Sequence, residues 1–228
     1  MPTVLLTGAN RGIGLEFARQ YAAAGWRVLA TCRAPEKAEK LSALGDGVSL
    51  YELDVTDHAR IKALAEELEG EAIDLLINNA GLYGASQSQE LGSIDPELWI
   101  EVLRVNTLAP LKMAECFLPH LKTGERKVIA SITSRMGSIG DNDVGGHYIY
   151  RSSKAALNAA VRSLAIDLKP LGVTAVVLHP GWVRTAMGGK GAAIDPEPSV
   201  AGMRAVIERL GPADAGKFLS YDGRELAW

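Results

Sequence analysis

Seven short runs of β-favouring residues are apolar at nearly every position rather than at every second one. They are Thr3–Thr7, Arg27–Thr31, Val48–Leu53, Asp74–Asn78, Lys127–Ile132, Thr174–His179 and, more weakly, Lys217–Ser220. A strand with one wet face alternates; a strand covered on both faces does not. Between these runs lie amphipathic stretches: Gly14–Ala24, Asp57–Leu68, Pro96–Phe117, Ser152–Leu168 and Val200–Leu210. Strand, helix, strand in repetition requires right-handed crossovers in an open parallel sheet. The expectation is one α/β domain over residues 1–228, a doubly wound parallel sheet of about seven strands with helices on both faces. A chain of 228 residues buries enough surface for this without staples. No Pro/Gly/Ser linker divides it and no long period repeats.

In such sheets ligands bind in the crevice beyond the carboxyl ends of the strands. The longest irregular segments are Gly84–Asp95, Gly137–His147 and Met187–Ser199; the substrate pocket is expected at Leu82–Ser88, Arg135–Tyr148 and Met187–Pro198, and the Gly-rich last one reads as a mobile cover. The net charge of −3 and the absence of a basic patch argue against nucleic acid or an anionic membrane as partner. Cys32 and Cys116 form no CxxC, and no His/Cys cluster has ligand spacing, so neither a disulfide framework nor a metal is expected. No leader-like segment and no long apolar span is visible. These features lead to the expectation of a cytoplasmic protein with reduced thiols that acts on a small molecule.

After the first strand comes Thr7-Gly8-Ala9-Asn10-Arg11-Gly12-Ile13-Gly14. Glycines let a backbone turn tightly and approach a phosphate, and the helix that follows offers free N–H groups and a favourable dipole. The position is that of the first βα turn of a Rossmann-type fold, although the spacing G-x-x-x-G-x-G departs from G-x-G-x-x-G. A dinucleotide with a ribose 2′-hydroxyl calls for an acid at the second strand tip. That tip reads Ala30-Thr31-Cys32-Arg33 and has none. Arg33, with Arg11 in the glycine loop, suits a 2′-phosphate instead, which favours NADP(H). Two solvated surface arginines are the plainer alternative.

Tyr150 and Lys154 stand four apart in a helical stretch and so share a face. Free tyrosine has a pKa of about 10. A nearby ammonium favours the phenolate, so Lys154 is expected to lower the Tyr150 pKa and fit it for proton exchange with an alcohol or carbonyl oxygen. Tyr148 is no rival, because four positions on it meets Ser152. Ser134 closes the fifth strand, where its hydroxyl can reach a substrate oxygen. Asn78-Asn79-Ala80-Gly81 closes the fourth, where small residues permit close approach. Asn106 sits in a helix that asparagine does not favour, so its amide is expected to bind a water or the main chain.

With these pieces in order, the chain resembles a short-chain dehydrogenase/reductase over nearly its whole length. TGANRGIG, NNAG, YRSSK and His179-Pro180-Gly181-Trp182-Val183-Arg184-Thr185 are similar to that family's motifs. Within the family it most resembles carbonyl reductases and the C-factor-like branch, with the ending Phe218…Asp222-Gly223…Trp228 in support. The resemblance implies a catalytic tetrad of Asn106, Ser134, Tyr150 and Lys154. It implies cofactor contacts at Gly8, Asn10, Arg11, Gly12, Ile13, Gly14, Arg33, Asp54, Val55, Asn79, Ala80 and Gly81. Further contacts are implied at Tyr150, Lys154, Pro180, Gly181, Val183 and Thr185, with Asp54 near the adenine and Thr185 at the nicotinamide end. It also implies a homodimer or homotetramer.

Ser134 lies 16 positions before Tyr150, about three more than many members show. Ser138 is the rival, 12 positions before. The I-T-S context at a strand end favours Ser134, and the extra residues then fall in the Gly140–Gly146 loop, where insertion costs little.

The expected reaction is hydride transfer between a nicotinamide and a carbonyl carbon. Tyr150 donates the proton, Ser134 holds the oxygen, and Lys154 holds the ribose. Asn106 orders a water that relays protons to Lys154. The alternative is an NADP-binding signalling or sensor protein with little turnover, against which an intact tetrad argues. A nucleic-acid-binding module lacks the basic surface it would need.

Overall fold

The computed structural model describes residues 1–228. Seven strands form one sheet: β1 (Thr3–Thr7), β2 (Arg27–Cys32), β3 (Val48–Glu52), β4 (Leu75–Asn78), β5 (Val128–Ile132), β6 (Thr174–His179) and β7 (Phe218–Ser220). Their order is β3-β2-β1-β4-β5-β6-β7, and every pairing is parallel. The helices are α1 (Gly12–Ala23), α2 (Glu39–Ser42), α3 (His58–Glu67), α4 (Pro96–Leu103), α5 (Ala109–Thr123), α6 (Tyr148–Leu168) and α7 (Pro196–Arg209).

The unbroken apolar runs have a direct cause. Successive strand residues point to opposite faces, and each face has its own core. Leu5, Leu29, Leu76 and Ile129 join Ile61 and Leu64 of α3, Met113 and Phe117 of α5, and Leu157 and Val161 of α6. Their neighbours Val4, Leu6, Val28, Ala30, Leu75 and Ile77 join Phe17 and Tyr21 of α1 and Met203 and Ile207 of α7. Burying a side chain of this kind stabilises the fold by about 1.5–3 kcal/mol, so a polar residue on either face of a central strand is costly.

Strand order reverses at β1, whose neighbours are β2 and β4. The crevice there opens at the carboxyl ends, between Thr7 and Asn78. Asn79 stitches the two tips together. Its Nδ2 donates to the carbonyls of Thr7 (2.9 Å) and Gly8 (3.1 Å). The N–H groups of Asn79 and Ala80 donate to Thr7 Oγ1 at 3.0 and 3.1 Å.

Several boundaries differ from expectation. The Pro96–Phe117 stretch divides into α4, a π-helical turn over Arg104–Leu108, and α5. Asn106 lies in that turn. Helix α6 starts at Tyr148, four residues before the expected Ser152, because its first N–H groups are satisfied from a segment remote in sequence. Helix α7 starts at Pro196, since proline suits a first helical position, and this shortens the Met187–Ser199 segment. Two side chains from the loop after β6 bond to that segment: Trp182 Nε1 donates to the Gly188 carbonyl at 2.9 Å and Arg184 Nη2 to the Ala192 carbonyl at 2.9 Å. The one-turn α2 was not anticipated.

Candidate active site

The glycine loop forms a cradle at the crevice. Gly8 has φ +65°, and a Cβ there would lie 3.0 Å from Ala80 Cα. At Gly14 a Cβ would lie 2.2 Å from the Gly8 carbonyl oxygen, so no side chain fits. Arg11 precedes α1 in extended conformation, and no side chain caps the helix. The first N–H groups of α1 therefore face the crevice without a side-chain partner, the arrangement a phosphate requires. A Cβ on Gly12 would sit 3.3 Å from Thr185 Cγ2, so the loop after β6 closes over the glycine turn. This donor set and its lack of side-chain bulk fit the pyrophosphate of a dinucleotide.

The other expected nucleotide contacts divide into two groups. Asn10, Arg11, Arg33 and Asp54 are exposed at the mouth of the crevice. Hydrogen bonds from the Thr56 N–H and hydroxyl hold the Asp54 carboxyl below its ordinary range despite partial burial, with the Arg33 charge assisting. By contrast, the side chains of Ile13, Val55 and Ala80 pack into or against the cores. Val183 is buried and pairs with Ile194. The Pro180 carbonyl accepts from Ser199 Oγ at 2.6 Å, and Gly181, at φ +84°, turns against Tyr221.

Tyr150 and Lys154 lie on one face of α6, both buried. Lys154 Nζ donates to the Ile132 carbonyl at 2.9 Å and stands 5.8 Å from the centre of the Tyr150 ring. Gly81 adjoins them: a Cβ there would lie 3.5 Å from Asn106 Oδ1 and 3.8 Å from Lys154 Nζ. Burial pushes the Tyr150 phenol up to about 12, opposed by a hydrogen bond with Ser134, with Tyr83 adding to the rise. Burial also pushes the Lys154 ammonium down to about 8. The expectation that Lys154 lowers the Tyr150 pKa is thus corrected. At that separation desolvation outweighs the ammonium, and both groups are driven toward their neutral forms. A phenol held protonated is a proton donor to an oxygen that gains negative charge.

Of the two serines, Ser134 is the one that bears on the titration of Tyr150, favouring the charged phenolate. Its Oγ also accepts from the Met136 N–H at 3.1 Å, which begins the helical turn Arg135–Gly137. Ser138 is committed elsewhere: it donates to the Trp228 carbonyl at 3.3 Å and accepts from the Asp141 N–H at 3.1 Å. Nearby, burial pushes His179 down to about 4, and its Nδ1 accepts from the Arg135 N–H at 3.2 Å. The neutral ring thus fixes the turn that follows Ser134.

Asn106 chooses the main chain. Its Oδ1 accepts from the Leu82 N–H and its Nδ2 donates to the Leu82 carbonyl, both at 2.8 Å, with Ser153 Oγ at 3.0 Å. Both N–H groups of the amide and one acceptor site of its oxygen are therefore taken by protein, and the side chain ties the loop after β4 to α6. Tyr83 and Gln89, both at the site, were not singled out from sequence. Tyr83 packs on Tyr150 with ring centres 4.7 Å apart and the rings tilted by 45°, and meets His147 Nδ1 at 3.0 Å through its hydroxyl. Their loop has no periodic pattern, so nothing local marks either residue.

Comparison with known proteins agrees with this geometry. Residues 2–193 match the family described as short chain dehydrogenase. The chain is 44% identical to C-signal of Myxococcus xanthus over 168 residues, 74% of this chain and all of that protein. It is 37% identical to 1-hydroxy-2-glutathionyl-2-methyl-3-butene dehydrogenase of Rhodococcus sp. (strain AD45), with both chains covered in full. Among solved structures, carbonyl reductase Sniffer of D. melanogaster superposes with a TM-score of 0.94 at 34% identity, all of both chains covered. The NADPH-bound carbonyl reductase from chicken fatty liver superposes at 0.92 and 37% identity, covering 100% of this chain and 99% of that one. The chain belongs to the short-chain dehydrogenase family.

Proposed function

We propose that the chain is an NADP(H)-dependent oxidoreductase that interconverts a carbonyl and an alcohol, acting as a carbonyl reductase. The observation that carries this reading is buried Tyr150 beside buried Lys154 on one face of α6, next to Gly81 and to Ser134 just beyond the tip of β5, at the crevice that the glycine cradle opens onto. Gly8, Gly12, Gly14 and the first turn of α1 receive the pyrophosphate. Arg11 and Arg33 receive the 2′-phosphate. When bound, the nicotinamide supplies the hydride chemistry. Tyr150 donates its proton to the substrate oxygen as negative charge develops there, and Ser134 orients that oxygen. Lys154 reaches the crevice beside Gly81 to hold the nucleotide ribose. Asn106 keeps the Leu82 backbone and α6 in register. A small-molecule carbonyl is the substrate class, bounded by residues 82–88, 135–148 and 187–198.

Likeness to the protein named C-signal favours a second reading, a nucleotide-binding signalling protein with little turnover. Oxidation of NADPH by the purified protein against a panel of aldehydes, ketones and diones separates the two. Saturable turnover supports the enzyme; NADPH binding without turnover on any of them supports the signalling protein.

A further inference from the structure

Gln89 has no solvent exposure, which is unusual for an uncharged polar side chain this long. Helix α6 begins at Tyr148, and the residue before it, His147, sits in the left-handed region at φ 50° and gives no side-chain cap. The first N–H groups of a helix need partners from outside it. Gln89 supplies two of them from the loop between β4 and α4. Its main-chain carbonyl accepts from the Tyr148 N–H at 3.1 Å. Its Oε1 accepts from the Tyr150 N–H at 3.0 Å, across 61 residues of sequence. Its Nε2 donates to the Tyr83 carbonyl at 2.9 Å, and the Tyr83 ring packs on the Tyr150 ring.

We propose that Gln89 is a positioning residue for Tyr150, a remote helix cap that fixes its backbone directly and its ring through Tyr83. The inference rests on the reading of Tyr150 as the proton donor. Both ends of the amide are needed: the oxygen holds α6 and the nitrogen holds Tyr83. Leucine supplies neither. Glutamate keeps the acceptor, and a helix N-terminus tolerates its charge. Asparagine keeps both groups on an arm too short by one methylene.

The test compares wild type with Gln89→Leu, Gln89→Glu and Tyr150→Phe. It reads kcat and KM for a carbonyl substrate that wild type reduces, and the Kd for NADPH by fluorescence. Gln89→Leu is expected to lower kcat about tenfold, since small displacements of a reacting group are costly, while Kd for NADPH holds. Gln89→Glu should recover part of kcat, because it restores the acceptor for α6 and not the donor for Tyr83. If Gln89→Leu does not fold, Gln89→Asn takes its place with the same expectations. Wild-type kcat in the folded Leu or Asn variant overturns the proposal, as does a loss in Gln89→Glu equal to that in Gln89→Leu. An inactive Tyr150→Phe beside an unaffected Gln89 variant refutes the positioning role alone. An active Tyr150→Phe refutes the reading beneath it.

Discussion

Lys154 is a buried cation whose hydrogen bond goes to a carbonyl rather than a carboxylate, and this has a measurable cost. Its fall from 10.5 to about 8 corresponds to about 3 kcal/mol against the charged form at neutral pH. Lys154→Met removes the charge and keeps an unbranched apolar stem in the same space. It also leaves the Ile132 carbonyl without that donor, which returns about 1–2 kcal/mol. The expected net change is a gain of about 1–2 kcal/mol at pH 7, worth roughly 2–8 °C in Tm for a domain this size. The variant should be more stable and inactive, the trade expected of a strained functional group.

The pH dependence supplies the sign. Between about 8 and 10.5 the unfolded chain keeps the lysine proton that the folded chain has shed. Stability therefore rises with pH through this window, and the rise comes from relief of a penalty. Thiols raised by burial, Cys32 and Cys116, oppose it, but they are shared by wild type and variant. Urea unfolding of both proteins, free of nucleotide, at pH 7 and again near pH 9.5 isolates the lysine. The advantage of Lys154→Met should shrink by about 2 kcal/mol between them. A variant less stable than wild type at pH 7, or an advantage independent of pH, refutes the reasoning.

Ser134→Ala should lower kcat strongly, while Ser138→Ala should spare kcat and lower stability by about 1 kcal/mol through the lost Trp228 and Asp141 bonds; steady-state kinetics and urea unfolding check both, and the reverse ranking would move the polarising role. Arg33→Asp should weaken NADPH use relative to NADH by about tenfold, toward the low end for a charged contact because Arg33 is exposed. The measurement is kcat/KM for both cofactors at fixed salt, and no selective loss would make Arg33 an ordinary surface charge.

The sheet was legible because both faces of every central strand are dry, so Val4-Leu5-Leu6 and Val128-Ile129-Ala130 declare themselves without alternation. The site was legible where one strand tip or one helix turn carries the chemistry: Gly8–Gly14, Ser134, and Tyr150 with Lys154. Their protonation was not. A pattern reports that an ammonium is near a phenol, but the balance between charge and desolvation depends on burial, which reversed the expected shift of Tyr150. Nor was the start of α6, since its N–H partners come from Gln89, and no local propensity encodes a cap 61 residues away. Asn106 was visible as an anomaly in a helix, while the π-helical turn that absorbs it and its two bonds to Leu82 required the fold.

The role of Tyr150 as proton donor is tested most directly by reduction of one good carbonyl substrate by wild type and Tyr150→Phe at saturating NADPH, with nucleotide affinity and Tm measured alongside. Phenylalanine keeps the ring against Tyr83 and removes only the hydroxyl. The expected result is unchanged NADPH binding and fold, with kcat lower by about 10²–10⁴. Turnover within a few-fold of wild type in the variant would contradict the assignment of the proton to Tyr150.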